Sequence, residues 1–309
     1  MTRTKFGIAI HGGAGTIRKS TMSASKEAKY SDALSKALDK GYQILLKGGN
    51  ALDAVESAVT YLEDCTLFNA GKGSVFTANG KNEMDASIMD GRNLDAGAVA
   101  MVRTIKNPVK LARFVMEKSE HVFLAGKGAE DFGKKLGFLK MDPSYFFVQH
   151  RFKQLELAKK NNEIILDHVD KKFGTVGAVA LDSHGNLAAA TSTGGMTNKK
   201  FGRIGDSPMI GSGTYANNDT CAVSCTGSGE YFIRANAAFH VSALMAYAHK
   251  NLKDATEDVV YKILKDLGGD GGLIAIDKQG SISMPFNTEG MYRASRISGQ
   301  EAFIGIYEK

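Results

Sequence analysis

The stretch FGTVGAVALDSHGNLAAATSTGG, Phe173–Gly195, organises the whole chain. Two runs of small and aliphatic residues, VGAVALD and LAAATST, flank the turn sequence SHGN, which predicts a β-hairpin. At its mouth stand Gly174 and Thr175. A threonine suits a pleated strand, so Thr175 by itself is ordinary. Its surroundings are not. Upstream, Arg151 to Lys172 is dominated by charge and predicts a helix fading into an exposed linker that ends at Gly174. A threonine hydroxyl is a poor nucleophile without a base beside it, and one solution is the residue's own α-amino group, freed by cleavage of the preceding bond. Such an amine titrates near a pKa of about 8, so no histidine is needed. This solution calls for a linker, a glycine that leaves its carbonyl unobstructed, and a strand starting at the nucleophile. All three are present. The expected division is 1–174, with the linker at about 151–174, and 175–309, within one structural domain.

Downstream, CAVSCT predicts a strand, Glu230 to His249 a long helix, Ala255 to Leu267 another, and GLIAID with SISMPF a closing hairpin. Upstream, Phe6 to Ile10 predicts a buried strand ending in an HGGAG turn. Lys29 to Lys47 keeps helical spacing up to Gly48-Gly49. Asn50 is placed to cap a second helix that stops before FNAGKGS, and Pro108 to open a third. MDASIMDG and AGAVAMV predict strands. Strands and helices thus come in blocks, which argues for a layered α+β fold over a doubly wound parallel sheet.

Thirty-five glycines against four prolines, clustered in HGGAG, NAGKGS, TSTGG, GSGTY, TGSG and GGDGG, bring backbone close to something at several places. The net charge of +6 comes from scattered lysine doublets interleaved with acids, which predicts a solvated surface and no nucleic-acid partner. Cys65, Cys221 and Cys225 make no disulfide framework and fit a reducing compartment. No stretch is long and apolar enough for a membrane span, and the first apolar run is too short for a secretory signal, so the expected location is cytoplasmic. GAEDFGKK has phosphate-loop spacing, but Lys135 stands where a Ser or Thr would hold magnesium, which favours a charged surface helix. There is no G-x-S-x-G, H-E-x-x-H or C-x-x-C, and His168 in LDHVD reads as a linker histidine.

Taken in order, FGTVGAVALD, TSTGG, GRIGDSP, GSGTYANN, SCTGSGE, FNAG, MDASIMDG and GGLIAID resemble the plant-type L-asparaginases, or isoaspartyl peptidases, of the N-terminal-nucleophile hydrolases. The similarity runs from HGGAG to beyond FNTEGMYRA. It implies a four-layer αββα sandwich, cleaved autocatalytically between Gly174 and Thr175 and assembled as a dimer of αβ units. It implies Thr175 as nucleophile with Thr193 beside it, and Asn69 ordering the region. Arg203 and Asp206, with Gly229, would hold the substrate's α-carboxylate and α-ammonium. Thr226 and Gly227 would stabilise the oxyanion. An arginine fork and a nearby carboxylate match an amino-acid zwitterion on chemical grounds alone. The resemblance further implies a structural sodium ion on backbone carbonyls of Leu62, Glu63, Cys65, Phe68, Ala70 and Lys72, with no cofactor for the chemistry. The Lys72 amine is unexpected beside a cation and is free to point to water. The implied substrates are β-aspartyl dipeptides and L-asparagine. A glycosylasparaginase-type amidase and an uncleaved small-molecule binding protein are the alternatives. Cleavage separates the last from the others.

Overall fold

In the computed structural model, which describes residues 5–161 and 174–308, the hairpin at the centre of the sequence is also the centre of the larger sheet. The chain enters through β1 (Gly7–Gly15), which runs on through HGGAG with a slip in register after His11, where a turn is expected from the glycines. Then come α1 (Ala24–Leu46) and α2 (Ala51–Asp64). The Asn50 side chain accepts the Asp53 N–H, as a cap should. Strands β2 (Met84–Asp90) and β3 (Ala96–Val102) lead into α3 (Pro108–Lys118), which has its proline in the first turn. A short β4 (Phe123–Ala125) precedes α4 (Gly126–Lys135), so GAEDFGKK lies on a helix.

Next is α5 (Gln149–Lys160), which does not simply fade toward solvent. Arg151, Leu155 and Ala158 are buried on it, and the Arg151 guanidinium donates to the Gly73 carbonyl. The remainder of the expected linker, 162–173 with His168, lies outside the described residues.

The hairpin itself is β5 (Thr175–Leu181) and β6 (Leu187–Thr193). Its turn is closed by Asp182, whose carboxylate accepts the His184 and Asn186 N–H groups and the Ala51 N–H opening α2. After β7 (Thr214–Ala216) and β8 (Cys221–Gly227) the expected long helix is two, α6 (Gly229–Ala235) and α7 (Ala237–Ala248). The break falls at left-handed Asn236, because the N–H groups of Ala238 and Phe239 donate to the Ser212 and Gly211 carbonyls. The next helix, α8 (Leu252–Asp258), starts ahead of Ala255 and widens to π geometry over Val259–Leu264. Strands β9 (Gly271–Asp277), β10 (Ile282–Ser283), β11 (Gly290–Ile297) and β12 (Phe303–Gly305) complete the chain.

Two sheets result, in the orders β12-β11-β1-β5-β6-β2-β3-β4 and β10-β9-β8-β7. All pairs between these strands are antiparallel except β3 with β4. Alternation divides each central strand between two cores. On one face of the large sheet Ile8, Ile10, Val176, Ala178, Ala188 and Ala190 belong to a cluster with residues of α1, α2 and α3. On the other, Ala9, Val179, Leu181, Leu187 and Ala189 belong to a cluster with β8, β9 and α7. The sheets contact each other through β5 with β8 and β9, and through β6 with β8. This is a mixed helix-and-sheet fold with stacked sheets, as the blocks of elements predict.

Candidate active site

The face of the large sheet turned toward the small one changes character along the strands. Near the hairpin turn it is aliphatic. One row nearer the mouth it carries Gly177, Thr191 and Ser87, cross-strand neighbours on β5, β6 and β2. From β8, Ser224 reaches down between them: its hydroxyl lies 2.7 Å from Thr191 Oγ1 and 2.9 Å from His11 Nε2. Thr214 donates to Thr191 at 2.6 Å, and Ser87 to Thr214 at 2.7 Å. A Cβ on Gly177 would sit 2.0 Å from Ser224 Oγ, so only glycine fits beneath this network. The other nitrogen of His11 is 3.2 Å from the Thr175 carbonyl oxygen. Complete burial pushes that imidazole down to about 3, so it is neutral near pH 7 and joins strand to strand without charge.

The next row is Thr175 on β5 opposite Thr193 on β6. The Thr175 hydroxyl donates to Thr193 Oγ1 at 3.2 Å, and the Gly195 N–H donates to the same oxygen at 3.0 Å. The Gly194–Gly195 turn is held by Asn69. Its amide donates to the Gly195 carbonyl at 2.8 Å, its carbonyl oxygen accepts the Val75 N–H at 2.9 Å, and its backbone oxygen accepts the Gly194 N–H. Thr226, two residues beyond Ser224 on β8, faces the large sheet as Ser224 does. Its hydroxyl is buried with no hydrogen-bond partner. At Gly227 a Cβ would lie 2.5 Å from the Asp270 carbonyl oxygen, which explains the glycine.

Arg203 and Asp206 converge on Gly229, where a Cβ would lie 2.9 Å from Arg203 Nη2 and 2.8 Å from Asp206 Oδ1. They do not form the simple ion pair that their spacing suggests. The Arg203 guanidinium is held by Glu230, with Nε and Nη2 donating to its two carboxylate oxygens at 2.8 and 2.9 Å. Burial alone would raise the Glu230 carboxyl, but its bonds to Arg203 bring it below the usual range. Asp206 is buried with Oδ2 unpartnered, and burial pushes it up to about 7 against the pull of Arg203. A guanidinium fork aimed by one carboxylate thus stands beside a second, buried carboxylate with an unpartnered oxygen, an arrangement chemically suited to a group bearing both charges.

The segment after α2 folds its backbone inward. A Cβ at Gly73 would lie 2.1 Å from the Phe68 carbonyl oxygen and 3.0 Å from that of Cys65, and one at Gly71 would lie 2.4 Å from that of Glu63. Only glycine fits at either position, and the backbone carbonyls of Glu63, Cys65 and Phe68 are thereby packed into one loop. Lys72 does not enter this loop, nor does it simply point to water: its ammonium lies 5.1 Å from the Tyr145 ring centroid. The Glu63 side chain turns the other way, accepting the Ser192 hydroxyl at 2.7 Å and the Val109 N–H at 3.0 Å, and burial pushes its carboxyl up to about 8.

Sequence reasoning therefore places Thr175 with Thr193, Asn69 with their turn, and Arg203 with Asp206 and Gly229. It misses His11, Ser224 and Glu230. For His11 the signal was present, a histidine ending a buried strand before two glycines.

A family model described as asparaginase matches residues 4–306. A protein of Escherichia coli (strain K12) named isoaspartyl peptidase is 53% identical over 308 residues, covering 98% of this chain and 96% of its own. One of Arabidopsis thaliana, named probable isoaspartyl peptidase/L-asparaginase 2, is 41% identical over 327 residues, covering 98% and 99%. One of Mus musculus, named isoaspartyl peptidase/L-asparaginase, is 46% identical over 290 residues, covering 90% and 86%.

Proposed function

This chain belongs to the asparaginase family, and from that membership we propose that it is an autoprocessing threonine hydrolase that releases L-aspartate from β-aspartyl dipeptides and from L-asparagine. The observations that carry the reading are a hydroxyl pair, Thr175 with Thr193, at the end of the inter-sheet face, and Arg203 with Asp206 gathered at Gly229 on a segment tied to that same face, where the Ser207 carbonyl accepts the Ser87 hydroxyl at 2.6 Å.

In the precursor, the Thr175 hydroxyl attacks the Gly174 carbonyl and the acyl group moves from nitrogen to oxygen, which frees the α-amine; water then hydrolyses the ester, restoring the hydroxyl and leaving Gly174 with a carboxylate. In the mature enzyme that amine takes the hydroxyl proton as Oγ1 attacks the substrate's side-chain carbonyl. Thr193, which receives the hydroxyl's hydrogen bond, orients it. The oxyanion of the tetrahedral intermediate accepts from the Thr226 hydroxyl and the Gly227 N–H, for which the unpartnered Thr226 Oγ1 is support. The proton passes from the amine to the departing amine or ammonia, and water then hydrolyses the β-aspartyl ester. Arg203 takes the α-carboxylate, Asp206 takes the α-ammonium, and Gly229 lets both approach.

The carbonyls of Leu62, Glu63, Cys65, Phe68, Ala70 and Lys72 would hold sodium, which rigidifies the loop carrying Asn69. The two clusters and the stacked sheets support a four-layer αββα sandwich. The family reading brings with it a cytoplasmic enzyme assembled as a dimer of αβ units. Mass spectrometry of purified protein tests the reading: two pieces, 1–174 and 175–309, are expected, together with aspartate release from a β-aspartyl dipeptide. An intact, fully active chain would overturn the mechanism.

A further inference from the structure

The row that begins with Thr175 and Thr193 continues one strand further. In the register of β6 and β2, Thr193 stands opposite Asp85, so all three side chains occupy the inter-sheet face. At that point the β2–β3 ladder slips, since Met84 pairs with Val102 but Ala86 with Val99. Ala100 and Met101 thus oppose Asp85 alone, in a bulge with Met101 left-handed at φ 57. Asp85 stitches the bulge by accepting the Met101 N–H at 2.8 Å through Oδ1.

Its other oxygen is buried without a hydrogen-bond partner, and Lys199 Nζ stands 3.9 Å away. Lys199 is equally enclosed, its side chain 1% exposed, and it donates to the Glu83 carbonyl at 2.9 Å. The ammonium is wedged under Gly195, where a Cβ would lie 2.9 Å from Nζ. Gly195 is the residue whose N–H occupies the Thr193 oxygen.

We propose that Lys199 and Asp85 are a positioning pair for the reaction: the ammonium, held by the Asp85 charge, fixes Gly195 and thereby aims the Thr193 hydroxyl at Thr175. This rests on the function proposed above. A merely structural pair would be a poor solution here. Burying two charges is costly, and without a direct hydrogen bond their attraction recovers that cost less well than apolar packing would. Burial pushes the Asp85 carboxyl up and the Lys199 ammonium down, and the charge of each opposes the shift of the other. Arg203 acts on both, so the couple also lies within the field of the substrate receptor.

The experiment compares Lys199→Met, Asp85→Asn and the double variant in melting temperature, precursor cleavage, and kcat and KM on a β-aspartyl dipeptide. Each single variant should melt lower, because it leaves a buried charge without its partner, and the double should regain most of that loss. In all three, kcat should fall about 10²-fold with KM within about threefold, the scale of a misplaced reacting group whose substrate is still gripped. Slow cleavage in a folded variant counts the same way, since one hydroxyl acts in both steps. A double variant that recovers kcat along with its melting temperature would show that the pair only balances charge, and so overturn the inference. Lys199→Met with kcat within threefold of an active parent would overturn it too, leaving the proposed function standing. A parent inactive on the dipeptide would remove both.

Discussion

At the turn end of β5 and β6, the inter-sheet face carries Val179, Leu181, Leu187 and Ala189, all buried against the small sheet. At the other end of the same two strands it carries Thr175 and Thr193. Between them lies the row of Gly177, Thr191 and Ser87 with Ser224 and His11, where each of these hydroxyls and the imidazole is hydrogen-bonded. Polar burial there is therefore compensated. At the mouth compensation thins: Thr226 Oγ1 and Asp206 Oδ2 are buried without a hydrogen-bond partner, and Asp85 Oδ2 faces only the Lys199 ammonium at 3.9 Å. The space between the sheets thus passes from cohesion, through satisfied polarity, to buried polar atoms without hydrogen-bond partners. The aliphatic end should govern stability and the hydroxyl end chemistry, and substitutions at the two ends can break that division.

The largest effect is expected at Thr175. Thr175→Ala should fold, remain a single chain and lose at least about 10⁴-fold in turnover, as removal of a nucleophile does. Thr175→Ser keeps the oxygen but loses the methyl that restricts χ1, so it should cleave slowly and retain weaker activity. An alanine variant that still splits after Gly174 would reduce Thr175 to an ordinary strand residue. At the opposite end Leu181→Ala should behave in reverse. It removes a fully enclosed side chain and should cost about 2–5 kcal/mol in denaturant unfolding, while kcat at 25 °C stays within about twofold of the parent. A large loss of kcat in that variant, well below its melting temperature, would mean that the two ends are not separable.

Arg203→Lys comes next. A point charge cannot reproduce the fork that Glu230 aims, so kcat/KM on the dipeptide should fall about 10²-fold, about 2.7 kcal/mol. Stability should barely move, since the Glu230 carboxylate is 53% exposed and such pairs contribute little. A loss below about threefold would remove Arg203 from the carboxylate site.

The same comparison shows what a sequence discloses. The hairpin was legible because strand pattern and turn chemistry are local, and Thr175 meets Thr193 because hairpin register follows from the turn. The Asn50 cap was legible for the same reason. His11, Ser224, Asp85 and Lys199 were not, because their neighbours are set by pairings of β1 with β5, β6 with β2, and one sheet against the other, across long separations. The break at Asn236 was hidden likewise: helical spacing continues through it, and only the carbonyls of Gly211 and Ser212 reveal it. β11 went unread because Arg293 and Arg296 interrupt a strand whose Tyr292 and Ala294 pack into one cluster and whose Met291 and Ile297 pack into the other. Glu230 carries no distinguishing signal in the sequence, because acids are common at the start of a helix for electrostatic reasons.

The smallest effect concerns pH, and it tests whether the mouth is held open for a cation. With its carboxyl pushed up to about 7 by burial, Asp206 binds a proton in the folded enzyme that the unfolded chain has already released above its ordinary value near 3.8. Between those values the native state holds more protons, so the stability that Asp206 contributes is fully present below about pH 4 and is lost as pH rises through 7. Binding has the opposite sign, because only the ionised carboxylate attracts an α-ammonium. L-aspartate, the expected product, should therefore raise the melting temperature more at pH 8 than at pH 6. Taking the difference between liganded and free enzyme at each pH cancels groups remote from the ligand, His11 and Glu63 among them, and the same series on Asp206→Asn subtracts the Thr175 amine, which titrates at about 8. A tenfold gain in affinity across that interval is about 1.4 kcal/mol at saturating ligand, or about 2–4 °C in a chain of this size. A ligand-induced shift that is flat from pH 6 to pH 8 would show that Asp206 is ionised throughout and that its open oxygen does not receive the ammonium.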